Sequence, residues 1–371
     1  MTAVATRVRT PTLEIDLSAV AANTRRFVRA TASSSAEVMA VVKADGFGHG
    51  LADVARTAVD SGATWLGVTS VAEGVAVRES GVDVPVLSWL NPVDVDVETA
   101  ARHRIDLAVP GVRHLAAIAA AGAGARVHLQ LDTGMARDGA AEDEWRALMR
   151  AARRAEAAGD VTVVGVMGHL AMAGESGHPA NKQGLLALLN GVELAEQAGL
   201  RPVVRHLAAT AATLTDPATH LDVVRVGAGL VGIDPSGTTR LCTALRLTAP
   251  VVQVRRVAAG VGVGYGHTHV TDRATTLALL PIGYADGLPR VASGRAHVLV
   301  AGLRRPVVGV ISMDQTVVDL GDHVVEPGAE AVVFGPGDDG EPTVADWARW
   351  AGTIPHEIVT GIGHRVERSV R

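Results

Sequence analysis

From residue 38 to 232 the chain alternates short apolar, β-branched runs with Ala/Arg/Glu-rich stretches of helical periodicity. The runs are 38–43 (VMAVVK), 65–70 (WLGVTS), 84–89 (VPVLSW), 105–110 (IDLAVP), 126–132 (RVHLQLD), 161–169 (VTVVGVMGH), 203–208 (VVRHLA) and 223–227 (VVRVG). Segments such as LADVARTAVDSGA and EDEWRALMRAARRAEAAG lie between them. The runs are near-continuously apolar, the pattern of strands covered on both faces. Eight β–α alternations in this span predict an α/β fold of the (β/α)₈ barrel type, with a doubly wound open sheet as the competitor. The Gly-rich GVGVGYG does not fit G-x-G-x-x-G and comes too late to open a nucleotide-binding unit.

Beyond about residue 244 strand-like runs follow at short spacing with Gly/Pro turns: APVVQVRRV, TTLALLPIGYA, HVLVAG, RPVVGVISM, TVVDL and AEAVVFG. They predict a C-terminal, mostly-β domain, closed by a helix at TVADWARWAG. The expected domains are 12–240 for the barrel and 241–371 for the β-rich part. Residues 1–17, with the short strand LEIDL, could join the β module as an extra strand.

Composition narrows the class. The 371 residues are 48% hydrophobic and 20% charged, with a formal net charge of -5. That excludes disorder, and no basic block suits nucleic acid. No window approaches the roughly 18 apolar residues of a membrane span. The N-terminus lacks an apolar signal core, and a lone cysteine, Cys242, makes no internal disulfide. A cytoplasmic enzyme is expected.

Rare residues carry the chemistry. Lysine occurs only at Lys43 and Lys182, and the other 32 of the 34 basic residues are arginine. Only an amine with an accessible neutral form attacks a carbonyl. For Lys182, in HPANKQ, chance is the preferred reading. Lys43 closes an apolar run before a Gly-rich turn, where an unpaired ammonium is costly. Tyrosine occurs only at Tyr265 and Tyr284, each among glycines rather than core residues. At the C-terminal ends of the barrel strands stand Lys43, Asp132 to Arg137, His169, His206 with Ala209 and Thr210, and Arg225 with Gly227. A basic rim with small-residue loops suits an anion, and backbone N–H groups after Thr210 or Gly227 would suit a phosphate. His267 and His269 alternate, but no cysteine or carboxylate set at ligand spacing supports a metal.

AVVKADGFGHG, LDTGMARDG, HLAATAATL, RVGAGLVGIDPS, GVGYGHT, LPIGYADGLPR and GVISMDQ, in this order over nearly the whole chain, resemble the alanine racemases. These are fold-type III enzymes that use pyridoxal 5'-phosphate (PLP). The resemblance implies a head-to-tail homodimer in which the β domain of one subunit completes the other's site. It implies that Lys43 holds PLP covalently and is one base, and that the partner subunit's Tyr265 is the opposite base, assisted by His169. Arg225 would bond the pyridine nitrogen. Arg137 would steady the phenolic oxygen and the substrate carboxylate. Phe47, Thr210, Gly227, Ala228 and His356 would surround the cofactor. Tyr284, Met313, Asp314 and His356 would line the substrate side. The family pattern differs at six places. It has Tyr for Phe47, Asn-Ser for Ala209-Thr210, Pro for Val226, a lysine for Gln130, an acidic residue for Gly174 and Tyr for His356. Gln130 is expected to bond Arg137. The alternatives to alanine racemisation are a serine racemase, an aldolase or transaldolase on a β-hydroxy amino acid, and a non-catalytic PLP-binding homologue.

Overall fold

The computed structural model describes residues 10–371. Its backbone contacts form two compact units: Ala19–Cys242, and Thr243–Arg371 together with the segment up to Ser18. The first strand, β1 (Thr12–Ile15), belongs to the second unit, because its ladders run antiparallel to Leu245–Pro250 and parallel to Glu367–Val370. Residues 12–18, placed by the sequence either at the start of the barrel or, up to residue 17, as an extra strand of the β module, sit with the β-rich unit. Residues 1–9 of the predicted extra strand lie outside the described residues.

All eight apolar runs of the first unit form strands: β2 (Glu37–Val41), β3 (Trp65–Val68), β4 (Val86–Ser88), β5 (Ile105–Val109), β6 (Ala125–Gln130), β7 (Val161–Met167), β8 (Val204–His206) and β9 (Val223–Val226). They make one parallel sheet in the order β8-β7-β6-β5-β4-β3-β2-β9. The sheet closes where Asp222 N–H donates to Arg205 O and Arg225 N–H donates to Ala208 O, at 3.1 and 2.9 Å. A bidentate Arg205–Asp222 pair at 2.7 and 2.9 Å reinforces that seam. Met39, Trp65, Leu87, Ala108, Val164, Met167, Val204 and Val223 cluster in the core. Helices pack outside with one apolar stripe. In Trp145–Ala158 the buried residues are Trp145, Leu148, Met149 and Ala152, a spacing of three and four. Gly159, at φ 83°, ends that helix in the left-handed conformation that a side chain would oppose.

The second unit is built on a six-stranded sheet. It holds β10 (Leu245–Pro250), β15 (His297–Val300), β16 (Leu303–Pro306), β18 (Glu330–Phe334), β19 (Glu367–Val370) and β1. A three-stranded sheet joins β11 (Gln253–Val257), β14 (Thr275–Leu280) and β17 (Thr316–Gly321). β12 (Gly262–Val263) and β13 (His269–Val270) form a small ribbon. Trp347, on the helix Val344–Ala351, is fully buried, and its indole N–H donates to Val333 O at 2.7 Å. His267 closes a 3₁₀ turn while His269 lies on β13, so the two do not alternate along one strand. Among the described residues no helix is long and apolar enough to cross a membrane.

One glycine shapes the barrel interior. A Cβ at Gly165, on β7, would stand 2.6 Å from Val204 O and 2.7 Å from His128 Nδ1. Backbone cannot swing aside as a side-chain tip can. Gly165→Ala is expected to cost about 1–3 kcal/mol, read as a lower urea midpoint with an unchanged m-value.

Candidate active site

Lys43 enters on a strained turn. Ala44, Asp45, Gly46 and Phe47 all adopt left-handed backbone angles, with φ between 53 and 61°. For residues with a Cβ this costs about 1–2 kcal/mol each, so the surroundings must compensate. Gly46 N–H donates to Val42 O and Gly50 N–H to Asp45 O, both at 2.9 Å. Ala44 N–H donates to Glu73 Oε1 and Leu51 N–H to Asp45 Oδ1, both at 2.8 Å. Glu73 Oε2 also accepts from the backbone and hydroxyl of Thr69. The lysine side chain that this turn presents is half-buried, and its ammonium has no acceptor among the described residues.

On the neighbouring strand β9, in register with Met39 of β2, stands the buried Arg225. Its Nη2 donates to Gly168 O at 2.7 Å, His169 Nδ1 at 3.0 Å and Leu207 O at 3.3 Å. Its Nη1 donates to His206 Nδ1 at 3.1 Å. No bond engages its Nε among the described residues. Arg137 rises from a loop wound around Asp132, whose carboxylate accepts the N–H groups of Gly134, Met135 and Ala136. The Arg137 guanidinium is exposed and has no hydrogen-bond partner among the described residues. Gln130 does not bond it as expected: its amide N–H donates to Asp138 at 2.9 Å, while its Oε1, the atom able to accept from a guanidinium, is buried without a partner among the described residues.

Electrostatics follow this crowding of cations. Burial, then Arg137 and Arg225, lower the Lys43 amine from its ordinary value, while Glu73 opposes them. Burial and the charges of Arg225, Arg137 and Lys43 push His169 down to about 3. Since Arg225 donates to its Nδ1, the neutral His169 ring carries its proton on Nε2. Burial lowers Arg225 itself to about 10. The four rim residues picked from the sequence thus share one electrostatic site.

Beside them lies a tight small-residue wall. Phe47 is buried, and a Cβ at Gly227 would fall 2.7 Å from its Cζ. Thr210 Oγ1 accepts the N–H of Gly229 at 3.2 Å, joining the start of the helix Thr210–Thr215 to the turn Ala228–Val231. At this wall Phe47 itself offers no phenolic hydroxyl. Gly174 lies in an exposed loop.

The remaining sequence candidates belong to the second unit. Tyr265 is 75% exposed, Met313 53% and Tyr284 41%. Tyr284 N–H donates to Ser312 O and Ala285 N–H to Met313 O, both at 3.0 Å. Arg365 bridges Asp286 at 3.2 Å and Asp314 at 2.6 Å, clamping the two loops that carry Tyr284 and Met313. His356 lies in the short helix Pro355–Thr360. Sequence reasoning missed Glu73, Arg365, and the roles of His128 and Asp106. The last two had one signal, a polar residue inside an apolar strand run.

These surroundings give Lys43 a pH signature. Its folded-state pKa lies below the 10.5 of a free lysine, so the unfolded chain binds more protons between the two values. Stability therefore rises with pH across that window. Lys43→Met, without the charge, is expected to melt higher than the native chain at pH 7. The advantage should shrink as pH climbs toward 10.5, as followed by thermal unfolding of both chains.

Comparison with known proteins agrees with this geometry. The model of the alanine racemase N-terminal domain matches residues 15–235, and that of the C-terminal domain matches 244–370. The alanine racemase of Thermobifida fusca is 46% identical over 361 residues, covering 95% of this chain and 96% of that protein. The crystal structure of alanine racemase from D-cycloserine-producing Streptomyces lavendulae superposes with a TM-score of 0.94 at 43% identity, covering 98% of this chain and 97% of the other. That of Bartonella henselae, which carries covalently bound pyridoxal phosphate, superposes at 0.89 with 27% identity, covering 98% and 100%. Fold and sequence agree, and the chain belongs to the alanine racemase family.

Proposed function

We propose that this chain is a PLP-dependent racemase that interconverts L- and D-alanine. The observation that carries the reading is Lys43: a half-buried amine with no hydrogen-bond acceptor among the described residues, lowered by burial and by two guanidiniums against the opposing charge of Glu73, at the end of a parallel barrel strand. The residues fit the cofactor. Lys43 would carry it covalently. Arg225 has an uncommitted Nε–H for the ring nitrogen. Arg137 has a free guanidinium for oxygen anions. Thr210, Gly227 and Ala228 would face the phosphate, with Phe47 and His356 beside it. Bound PLP supplies an electrophilic carbon for the substrate amine and a conjugated ring that accepts the electrons left when Cα loses its proton.

Racemisation needs a proton removed from one face of Cα and returned on the other. Lys43, once its amine is free and neutral, serves one face. Tyr265 serves the other, contributed by the partner subunit in a homodimer; its exposure on the second unit, with that of Met313 and Tyr284, supports such sharing. The phenol needs help to ionise, since its ordinary pKa is near 10. The neutral His169, with Nε2–H as its donor, would stabilise the phenolate. Arg225 keeps its proton and so withholds it from the ring nitrogen, which favours proton exchange over transamination. Arg137 would orient the substrate carboxylate, while Tyr284, Met313, Asp314 and His356 bound its side chain. The relatives named above support racemisation and not aldol cleavage or a non-catalytic role. A cytoplasmic site of action fits the chemistry.

Incubating the chain with PLP and L-alanine in deuterated water tests the reading. Cα–H exchange with inversion is expected; aldehyde release, or silence with alanine, would refute it. Tyr265→Phe should cut turnover by about 10²–10⁴-fold. Phe47→Tyr would add a charge-assisted bond worth about 1.5–3 kcal/mol at the phosphate. Its PLP dissociation constant, from absorbance titration, is therefore expected to fall by roughly ten-fold or more.

A further inference from the structure

A file of buried polar side chains, Asp106, His128, His206 and Arg225, runs through the barrel to the rim, with the exposed Arg126 at its outer end. On β6, Arg126 donates from Nε to Asp106 Oδ1 at 2.8 Å. Asp106, second residue of β5, has a side chain only 3% exposed. Its Oδ2 lies 3.3 Å from His128 Nε2. His128 Nδ1 lies 3.0 Å from His206 Nε2, and His206 Nδ1 lies 3.1 Å from Arg225 Nη1. Both imidazoles are fully buried.

We infer that Asp106 is a positioning residue for Arg225, acting through His128 and His206 by imposing one order of protons on the chain between them. The importance of Arg225 rests on the racemase reading; the wiring does not.

The order follows from which groups can donate. A guanidinium has only N–H donors, so His206 Nδ1 must accept. The His206 proton then sits on Nε2 and points at His128 Nδ1, which must accept in turn. The His128 proton therefore sits on Nε2 and needs an acceptor, which Asp106 supplies. A second proton on His206 would set an N–H against that of Arg225. A second proton on His128 would set two N–H groups face to face at the 3.0 Å contact. Both rings are thus neutral while the bond to Arg225 stands. Burial acts in the same direction, holding His206 well below its ordinary pKa. Burial alone would raise the Asp106 carboxyl, but the bonds from His128 and Arg126 outweigh it and hold the group low.

Packing limits the alternatives. The Trp65 ring meets His128 edge-on at 5.8 Å and 86°. The missing side chain of Gly165 leaves the space that the His128 ring fills. Without the carboxylate, the His128 Nε2 proton has no acceptor, and the order is held from the Arg225 end alone. With the proton on Nδ1, His206 must accept from it and turn an N–H toward Arg225, and the bond to Nη1 is lost. Arg225 would then be held by Nη2 alone, through Gly168, Leu207 and His169.

The test uses the full chain, labelled with ¹⁵N-histidine and saturated with PLP, as native, Asp106→Asn and Asp106→Leu. His128→Gln and His206→Gln assign the signals, and long-range ¹H–¹⁵N spectra read each tautomer. The native chain should show both rings as single Nε2–H tautomers across the neutral pH range. Asp106→Leu should mix the tautomers and lower kcat by on the order of 10²-fold, with little change in KM. Asp106→Asn keeps an acceptor oxygen and the shape; it should retain the tautomers and restore most of kcat, and it serves if the leucine variant does not fold. A native His206 protonated on Nδ1, a doubly protonated ring, or a leucine variant that loses kcat with native tautomers would each overturn the inference. The spectra do not depend on turnover, so a failure of the racemase reading would show separately, as a native chain that leaves alanine unchanged.

Discussion

A guanidinium buried in a barrel needs acceptors, and Arg225 finds them in neutral groups. Three are backbone carbonyls or an imidazole at its Nη2, and one is the imidazole of His206. A carboxylate in direct contact would have neutralised it. Instead its charge acts on the neighbours, lowering Lys43 and His169. The nearest carboxylate on this path is Asp106, two imidazoles away. The rim therefore keeps a positive field and spare N–H donors. Such a field suits an anionic cofactor and a carboxylate substrate, and it leaves the lysine amine easier to free of its proton.

The left-handed turn after Lys43 belongs to the same design. An ordinary helix starting at that strand end would carry the chain off along its own axis. Four successive left-handed residues fold it back, so that Phe47 covers Gly227 while Lys43 stays at the strand mouth. Glu73 is the chief external support: one oxygen holds Ala44 and the other holds Thr69, while its charge still opposes the lowering of Lys43. One carboxylate thus stabilises a strained backbone and tempers an amine.

The departures from the family pattern read differently once placed. Phe47 keeps the packing on Gly227 and lacks only the hydroxyl of the family's tyrosine. Gln130 turns to Asp138, and Arg137 has no hydrogen-bond partner among the described residues. At His356 the side chain is half-buried in a short helix of the second unit, with Tyr265, Tyr284 and Met313 more exposed on the same unit.

Much of this was legible in the chain itself. Eight apolar runs predicted eight parallel strands because a strand covered on both faces must be apolar throughout. A nearly lysine-free composition singled out Lys43, since no arginine can replace a nucleophilic amine. Motifs at strand ends placed Arg137, His169 and Arg225 on one rim, because a barrel gathers those ends on one face. LEIDL could be read as an extra strand of the β module, but which strands flank β1 was not legible, since only ladder pairing decides. Nor was the path from Asp106 to Arg225. Its members sit on β5, β6, β8 and β9, far apart in sequence, and each looks like a stray polar residue in its own run. Closure of the sheet sets their register and turns their side chains toward one another. The direction of the protons then follows from a guanidinium that can only donate.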